Sequence, residues 1–288
     1  MSLKGVAAET LRILEAGYFV APNGERLVLQ PALAQAIEGT KLIAPREAAR
    51  LLDGIEPGPR HLLDVEVTDE TTQAAARRLV AVECVSDLVL LNFASARNPG
   101  GGFLNGAKAQ EEDLARCSGL YPCLLTQPAY YDENRANDSV LYTDNIIYSP
   151  GVPWFRTRSR DAPDTVFLAS VITAPAPNAG VAIQRDPGCG PDIEITLRRR
   201  AGQVLAVAAH HGHRNLLLGA WGCGVFRNTP SDVADAFGEW LASDRFAGLF
   251  DRVVFAIYDR SPQRATLAAF EQRFALRTDD ASRDNRGG

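Results

Sequence analysis

Three consecutive glycines, Gly100-Gly101-Gly102, stand seven residues ahead of Gln110-Glu111-Glu112. Glycines reach backbone conformations closed to other residues and place no side chain in a ligand's way. Exposed N–H groups beside a helix start suit an anion, most simply a phosphate. Phosphate binding alone does not call for two carboxylates at the same corner. Acids in a first helical turn also complement the helix dipole, which is the bland alternative for Glu111 and Glu112. Adjacent helical residues point about 100° apart, so the two carboxylates cannot share one task. One is expected to bind while the other reacts.

A second glycine-rich turn, Gly219-Ala-Trp-Gly-Cys-Gly-Val-Phe-Arg-Asn-Thr-Pro230, again lies between an apolar run and a helix start. Ligands of open α/β sheets sit at the carboxyl ends of strands, where such loops converge. Two of them suit a diphosphate, whereas two plain tight turns are the other reading. Neither loop matches the dinucleotide fingerprint or the P-loop. His210-His211-Gly212-His213 has metal-ligand residue types, but it closes a predicted helix at a glycine, where cationic side chains are favoured anyway. No metal is expected. Cys223 lies inside the second loop with no histidine assigned to it, and a packed thiol is the expectation. Trp154-Phe-Arg-Thr-Arg-Ser-Arg160 has a composition that stacks on bases, though a solvated loop is the commoner use.

The elements that must position these residues alternate. Leu88-Val-Leu-Leu-Asn-Phe-Ala94 reads as a buried strand and the segment after Glu111 as a helix. Further strands are expected over 61–68, 141–148, 165–173, 216–220 and 252–258. Helices are expected over 71–84, 192–209, 230–241 and 262–274, the third with Val233, Phe237, Trp240 and Leu241 on one face. Residues 1–58 read as a helical extension (3–17, 31–38, 45–52) ending in the breaker run Gly54-Ile-Glu-Pro-Gly-Pro59. The pattern implies one α/β domain over 1–276, with a mixed sheet covered on both faces, and a disordered polar tail over 277–288.

Bulk properties bound the function. The 288 residues are 46% hydrophobic and 23% charged, as in ordinary globular proteins. No apolar run is long enough to span a membrane, and the first residues lack a secretory signal, so a cytoplasmic location is the default expectation. Five scattered cysteines do not form a disulfide framework. A net charge of −5 argues against coating duplex nucleic acid.

Together, the triplet Gly100 to Gly102, the seven-residue spacing, Gln110-Glu111-Glu112 and the run Gly219-Ala-Trp-Gly-Cys-Gly-Val-Phe226 resemble the signatures of the poly(ADP-ribose) glycohydrolases in their shorter, microbial form. The resemblance spans most of residues 1–276. It implies a macrodomain-like, three-layer α/β/α sandwich binding ADP-ribose in a cleft, with no cofactor. The implied activity is hydrolysis of the ribose–ribose bonds of poly(ADP-ribose). By position, Glu112 matches the catalytic glutamate, Glu111 the carboxylate that orients the reacting ribose, and Gln110 a support of that corner. Gly100, Gly101 and Gly102 match the loop on the distal ribose and diphosphate. Gly222, Cys223, Gly224 and Val225 match the opposing diphosphate loop, and Phe226 an aromatic near the distal ribose. Asn98 is placed at a ribose hydroxyl. The implied partners are poly(ADP-ribose), ADP-ribose and poly-ADP-ribosylated proteins, with a monomer as the working form. A non-catalytic ADP-ribose reader and a mono-ADP-ribosyl-protein hydrolase are the alternatives.

Overall fold

A computed structural model describes residues 2–158 and 160–283, with 276–283 given by their backbone alone. The chain begins with helix α1 (Leu3–Ala16), the hairpin strands β1 (Tyr18–Val20) and β2 (Arg26–Val28), α2 (Ala32–Gly39), β3 (Lys41–Ile43) and α3 (Pro45–Asp53). There follow β4 (Asp64–Thr68), α4 (Thr72–Arg77), β5 (Leu88–Phe93), α5 (Gln110–Cys117), α6 (Leu120–Leu125) and α7 (Pro128–Ala136). The rest comprises β6 (Ile146–Trp154), β7 (Phe167–Ala174), α8 (Ala179–Arg185), α9 (Gly190–His210), β8 (Asn215–Gly219), α10 (Pro230–Ala242), β9 (Arg252–Ala256) and α11 (Ala265–Arg283).

Seven strands form one sheet in the order β3-β6-β7-β5-β8-β9-β4. The run β7-β5-β8-β9-β4 is parallel, while β6 and β3 join antiparallel. The sheet is therefore mixed. Its central strands are apolar on both faces because both faces are covered. Leu88, Leu90, Leu217 and Val254 turn into a core shared with α4, α5, α6 and α7. Their chain neighbours Val89, Leu91, Leu216, Leu218, Val253 and Phe255 turn into the core beneath α3, α9, α10 and α11. This period of two makes the three layers, an α/β/α sandwich. Because β7, β5 and β8 are parallel neighbours, the loops that follow them open along one edge of the sheet.

The helical extension expected over 1–58 also contributes the β1–β2 hairpin and the edge strand β3, which pairs with β6. The strand expected over 141–148 lies instead at Ile146–Trp154. Residues 142–145 are irregular backbone after a turn closed by the Tyr142 N–H on the Ser139 carbonyl at 3.2 Å, with Tyr142 at φ +64° and the Thr143 N–H held by Asn134 Oδ1 at 2.9 Å. The strand then continues through Ser149-Pro150-Gly151, a sequence that reads as a breaker, by means of a register shift between Ser149 and Val152. The last helix starts at Ala265 and reaches Arg283, into the expected tail, with no glycine or proline to interrupt it within 265–283. The end of that tail, residues 284–288, lies outside the described residues. Among the described residues, no helix is long and apolar enough to cross a membrane.

Candidate active site

The chain leaves β5 at Phe93 and returns as α5 at Gln110. Gln110 fixes where that helix begins. Its Oε1 accepts the Phe93 N–H at 2.9 Å, and its Nε2 donates to the Leu91 carbonyl at 2.8 Å. The side chain thus clamps the helix start to the end of the strand.

Glu111 turns into the protein and is only 3% exposed. Its Oε1 accepts from Asn92 Nδ2 at 3.2 Å and its Oε2 from the Ser95 N–H at 2.6 Å. Asn92 Nδ2 also reaches Thr173 Oγ1 at 3.2 Å. Burial raises the Glu111 pKa to about 8; the hydrogen bonds from Ser95 and Asn92 oppose the rise, and the charge of Glu112 adds to it. Burial thus favours the protonated form of this carboxyl.

Glu112 turns towards the glycine loop instead, and its Oε1 accepts the Gly102 N–H at 2.9 Å. Gly101 has φ +58°, and a Cβ there would collide with Glu112 Oε1 and stand 3.2 Å from Glu111 Oε2. Only glycine lets the loop lie against both carboxylates. The loop is tied back by its own turns, with the Gly101 N–H on the Asn98 carbonyl at 3.0 Å and the Ala107 N–H on the Gly102 carbonyl at 3.1 Å. Phe103 is fully buried behind it. Arg116, also fully buried, donates to the carbonyls of Phe103 and Ala107 and pairs with Asp113 at 3.1 Å. Asn98 is exposed at the head of the loop.

The second loop, 220–229, opens beside the first because β8 adjoins β5. Trp221 is buried, and its Nε1 donates to the Ala174 carbonyl at the end of β7 at 3.1 Å. Gly222 has φ +73°, and a Cβ there would lie 2.5 Å from Ala176 Cβ. Asn228 closes the turn by donating to the carbonyls of Pro177 and Gly222 at 2.9 and 3.1 Å. Gly224 and Val225 are exposed, and Phe226 is half-buried with its ring 5.8 Å from that of Tyr142. Burial pushes the half-buried Cys223 thiol up to about 12, so it is no ready nucleophile.

Glycines 100–102, Glu111 and Glu112 therefore meet in one contact network, with Gln110 locking it to the sheet. Asn98 and residues 222–226 flank it at the same edge. The histidines lie elsewhere, at the opposite ends of β5 and β8. His211 stacks on Tyr148 at 3.6 Å between centroids, and His213 bridges the Asp87 carbonyl and the Tyr148 hydroxyl. No group of three or more His, Cys, Asp or Glu able to hold a metal ion occurs among the described residues. The Trp154 run divides: Trp154, Phe155 and Arg156 are fully buried and form no stacking surface, whereas Arg158 and Arg160 are exposed in the loop that follows. Asn92, Ser95, Thr173 and Arg116 were not expected at the site. Asn92 left a trace, as the one amide in an otherwise apolar strand.

Residues 7–157 match the family model for the catalytic domain of microbial-type PARG, poly(ADP-ribose) glycohydrolase. The chain is similar to the crystal structure of poly(ADP-ribose) glycohydrolase from Thermomonospora curvata at 46% identity and TM-score 0.90, over 94% of this chain and 99% of that one. The same enzyme bound to the inhibitor ADP-HPD gives 46% identity and TM-score 0.88 over the same shares. The enzyme from Deinococcus radiodurans in complex with ADP-ribose gives 48% identity and TM-score 0.79, over 85% of this chain and 98% of that one. No curated protein gives a significant match.

Proposed function

The chain belongs to the microbial-type poly(ADP-ribose) glycohydrolase family, and from that membership we infer that it hydrolyses the ribose–ribose O-glycosidic bonds of poly(ADP-ribose), releasing ADP-ribose. The observation that carries the mechanism is the seating of Glu112 Oε1 on the Gly102 N–H. A loop suited to holding a ribose and a diphosphate here touches the carboxyl that would act on them.

Breaking the bond requires a proton for the departing ribose oxygen and stabilisation of an oxocarbenium-like carbon. Glu112 gives its proton to the departing ribose oxygen, which leaves as a hydroxyl as the C–O bond breaks. It then takes a proton from the attacking water, which bonds to the anomeric carbon and leaves Glu112 protonated again. Glu111 orients the ribose hydroxyls. The glycine loop and residues 222–226 hold the diphosphate through backbone N–H groups, and Phe226 and Asn98 flank the distal ribose. The proposal extends to poly-ADP-ribosylated proteins as carriers of the polymer and to a cytoplasmic monomer as the working form.

Incubating the protein with automodified, poly-ADP-ribosylated substrate tests the reading. Release of free ADP-ribose is expected. Intact polymer with ADP-ribose bound would reduce the protein to a reader, and loss of protein-linked mono-ADP-ribose alone would make it a different hydrolase.

A further inference from the structure

α5 is a helix of eight residues, about 12 Å long, so a tilt at its C-terminal turn reaches Glu112 in its first. The last carbonyls of any helix lack partners within it. Here they are met by α1 and by the residues just after β6. The Arg116 carbonyl accepts from the Thr10 hydroxyl at 2.9 Å and from Arg156 Nη1 at 2.8 Å. The Cys117 carbonyl accepts the N–H groups of Phe155 and Arg156 at 2.9 and 3.3 Å. Arg156 Nη1 also donates to the Thr10 hydroxyl at 2.7 Å, and its Nη2 pairs with Glu9 at 2.6 Å. A buried guanidinium at the negative end of a helix dipole is a favourable placement.

The same helix α1 touches the glycine loop from behind. Ala7 packs with Phe103 and Ala115 in one small buried cluster. Lys4 lies against Gly106, where an added Cβ would stand 3.2 Å from Lys4 Cγ. Arg116 links the two contacts, since its carbonyl takes the Thr10 hydroxyl while its guanidinium holds the Phe103 and Ala107 carbonyls.

We propose that Thr10 of α1, with Arg156 and Glu9, is a positioning residue for the hydrolysis, setting α5 and the glycine loop in the register that seats Glu112 on the Gly102 N–H. This rests on the hydrolase reading above. The hydrogen bonds of the Thr10 side chain go to Arg116 and Arg156, so it acts through the C-terminal turn of α5.

The test compares the full chain with Thr10→Val, which keeps the shape and removes the donor, and with Thr10→Ser, which restores it. Thr10→Val is expected to lower kcat on poly(ADP-ribose) about tenfold with KM within about twofold, as a small misplacement of a reacting group does. Thr10→Ser is expected to return most of that loss. The milder Glu9→Gln, at a partly exposed position, is expected to lower kcat about threefold on the same ground and serves if Thr10→Val does not fold. Wild-type kcat in Thr10→Val, a fall in rate matched by the fall in folded fraction, or no recovery in Thr10→Ser would overturn the positioning role. So would an unchanged kcat in Glu9→Gln where that variant stands in. A wild-type chain that releases no ADP-ribose would instead overturn the hydrolase reading, before any variant is compared.

Discussion

The Gly102 N–H points at Oε1 of Glu112 across 2.9 Å, although ten residues separate them in the chain. The loop suited to a ribose and a diphosphate and the carboxyl suited to the reaction therefore share a hydrogen bond before any substrate arrives. Movement of either is felt by the other.

Replacing Glu112 with Gln keeps the shape of the side chain and an acceptor for the Gly102 N–H but removes the transferable proton. Turnover of poly(ADP-ribose) is expected to fall by about 10³-fold, within the range seen for general acid–base groups. ADP-ribose affinity, read by calorimetry, should stay within a few-fold of wild type. Near-wild-type hydrolysis in this variant would remove Glu112 from the mechanism.

Gly101→Ala introduces a Cβ against both carboxylates at a φ of +58°. The loop must then move away from Glu112, and activity is expected to drop by about 10²-fold, the scale of an ångström-sized misplacement. Stability should fall by about 1 kcal/mol from the backbone conformation alone. Initial rates and urea melts on the same preparation read both effects.

Glu111 makes stability depend on pH. Its pKa of about 8 in the folded chain stands above 4.5 in the unfolded one, because burial favours the neutral form. The folded state therefore holds a proton that the unfolded state releases. The stabilisation is fully present below about pH 4.5 and is lost as pH rises through about 8. In Glu111→Gln this component should vanish, so that the difference in unfolding free energy between pH 6 and 9 shrinks relative to wild type. The same variant is expected to lose both ADP-ribose affinity and rate, since it can no longer present a carboxyl to the ribose hydroxyls. An unchanged pH dependence would place the titration elsewhere.

Asn92→Leu removes the donor to Glu111 Oε1 and strands part of a buried carboxyl. A lost hydrogen bond of this kind costs about 1–3 kcal/mol. Because that bond opposes the upward shift of Glu111, its removal should raise the Glu111 pKa further. The alkaline limb of the stability profile should then move to higher pH, as denaturant titrations across pH 7–10 would reveal.

Cysteine reactivity separates the second loop from a thiol mechanism. Burial pushes Cys223 to about 12 and Cys123 to about 11, whereas Cys84 is exposed. Brief iodoacetamide treatment at pH 8 should alkylate Cys84 and leave Cys223 and Cys123 largely unmodified, with hydrolysis retained. Mass spectrometry of peptides reads the sites. Fast alkylation of Cys223 with loss of activity would contradict the burial argument.

Much of the site was legible in the chain because its parts are local. A glycine triplet, a fixed spacing and two adjacent acids describe a strand–loop–helix corner without reference to anything distant. The layered α/β fold was legible for the same reason, since apolar runs such as Leu88 to Leu91 mark strands covered on both faces. The strand Ile146–Trp154 was misplaced because its Ser-Pro-Gly interior reads as a stop, and only pairing with β7 carries the chain through it.

The sequence by itself determined which residues the proposed chemistry is assigned to, because identity and spacing set what the backbone and the carboxyls can do. The tertiary structure alone decided how they are made to differ. Glu111 and Glu112 are equivalent as letters, and burial beside Asn92 and Ser95 separates one from the other. Trp154 to Arg156 are a sticky run as letters, and the fold turns them into the anchor of α5. Such distinctions arise from desolvation and from contacts between segments far apart in the chain, and neither has a local signature.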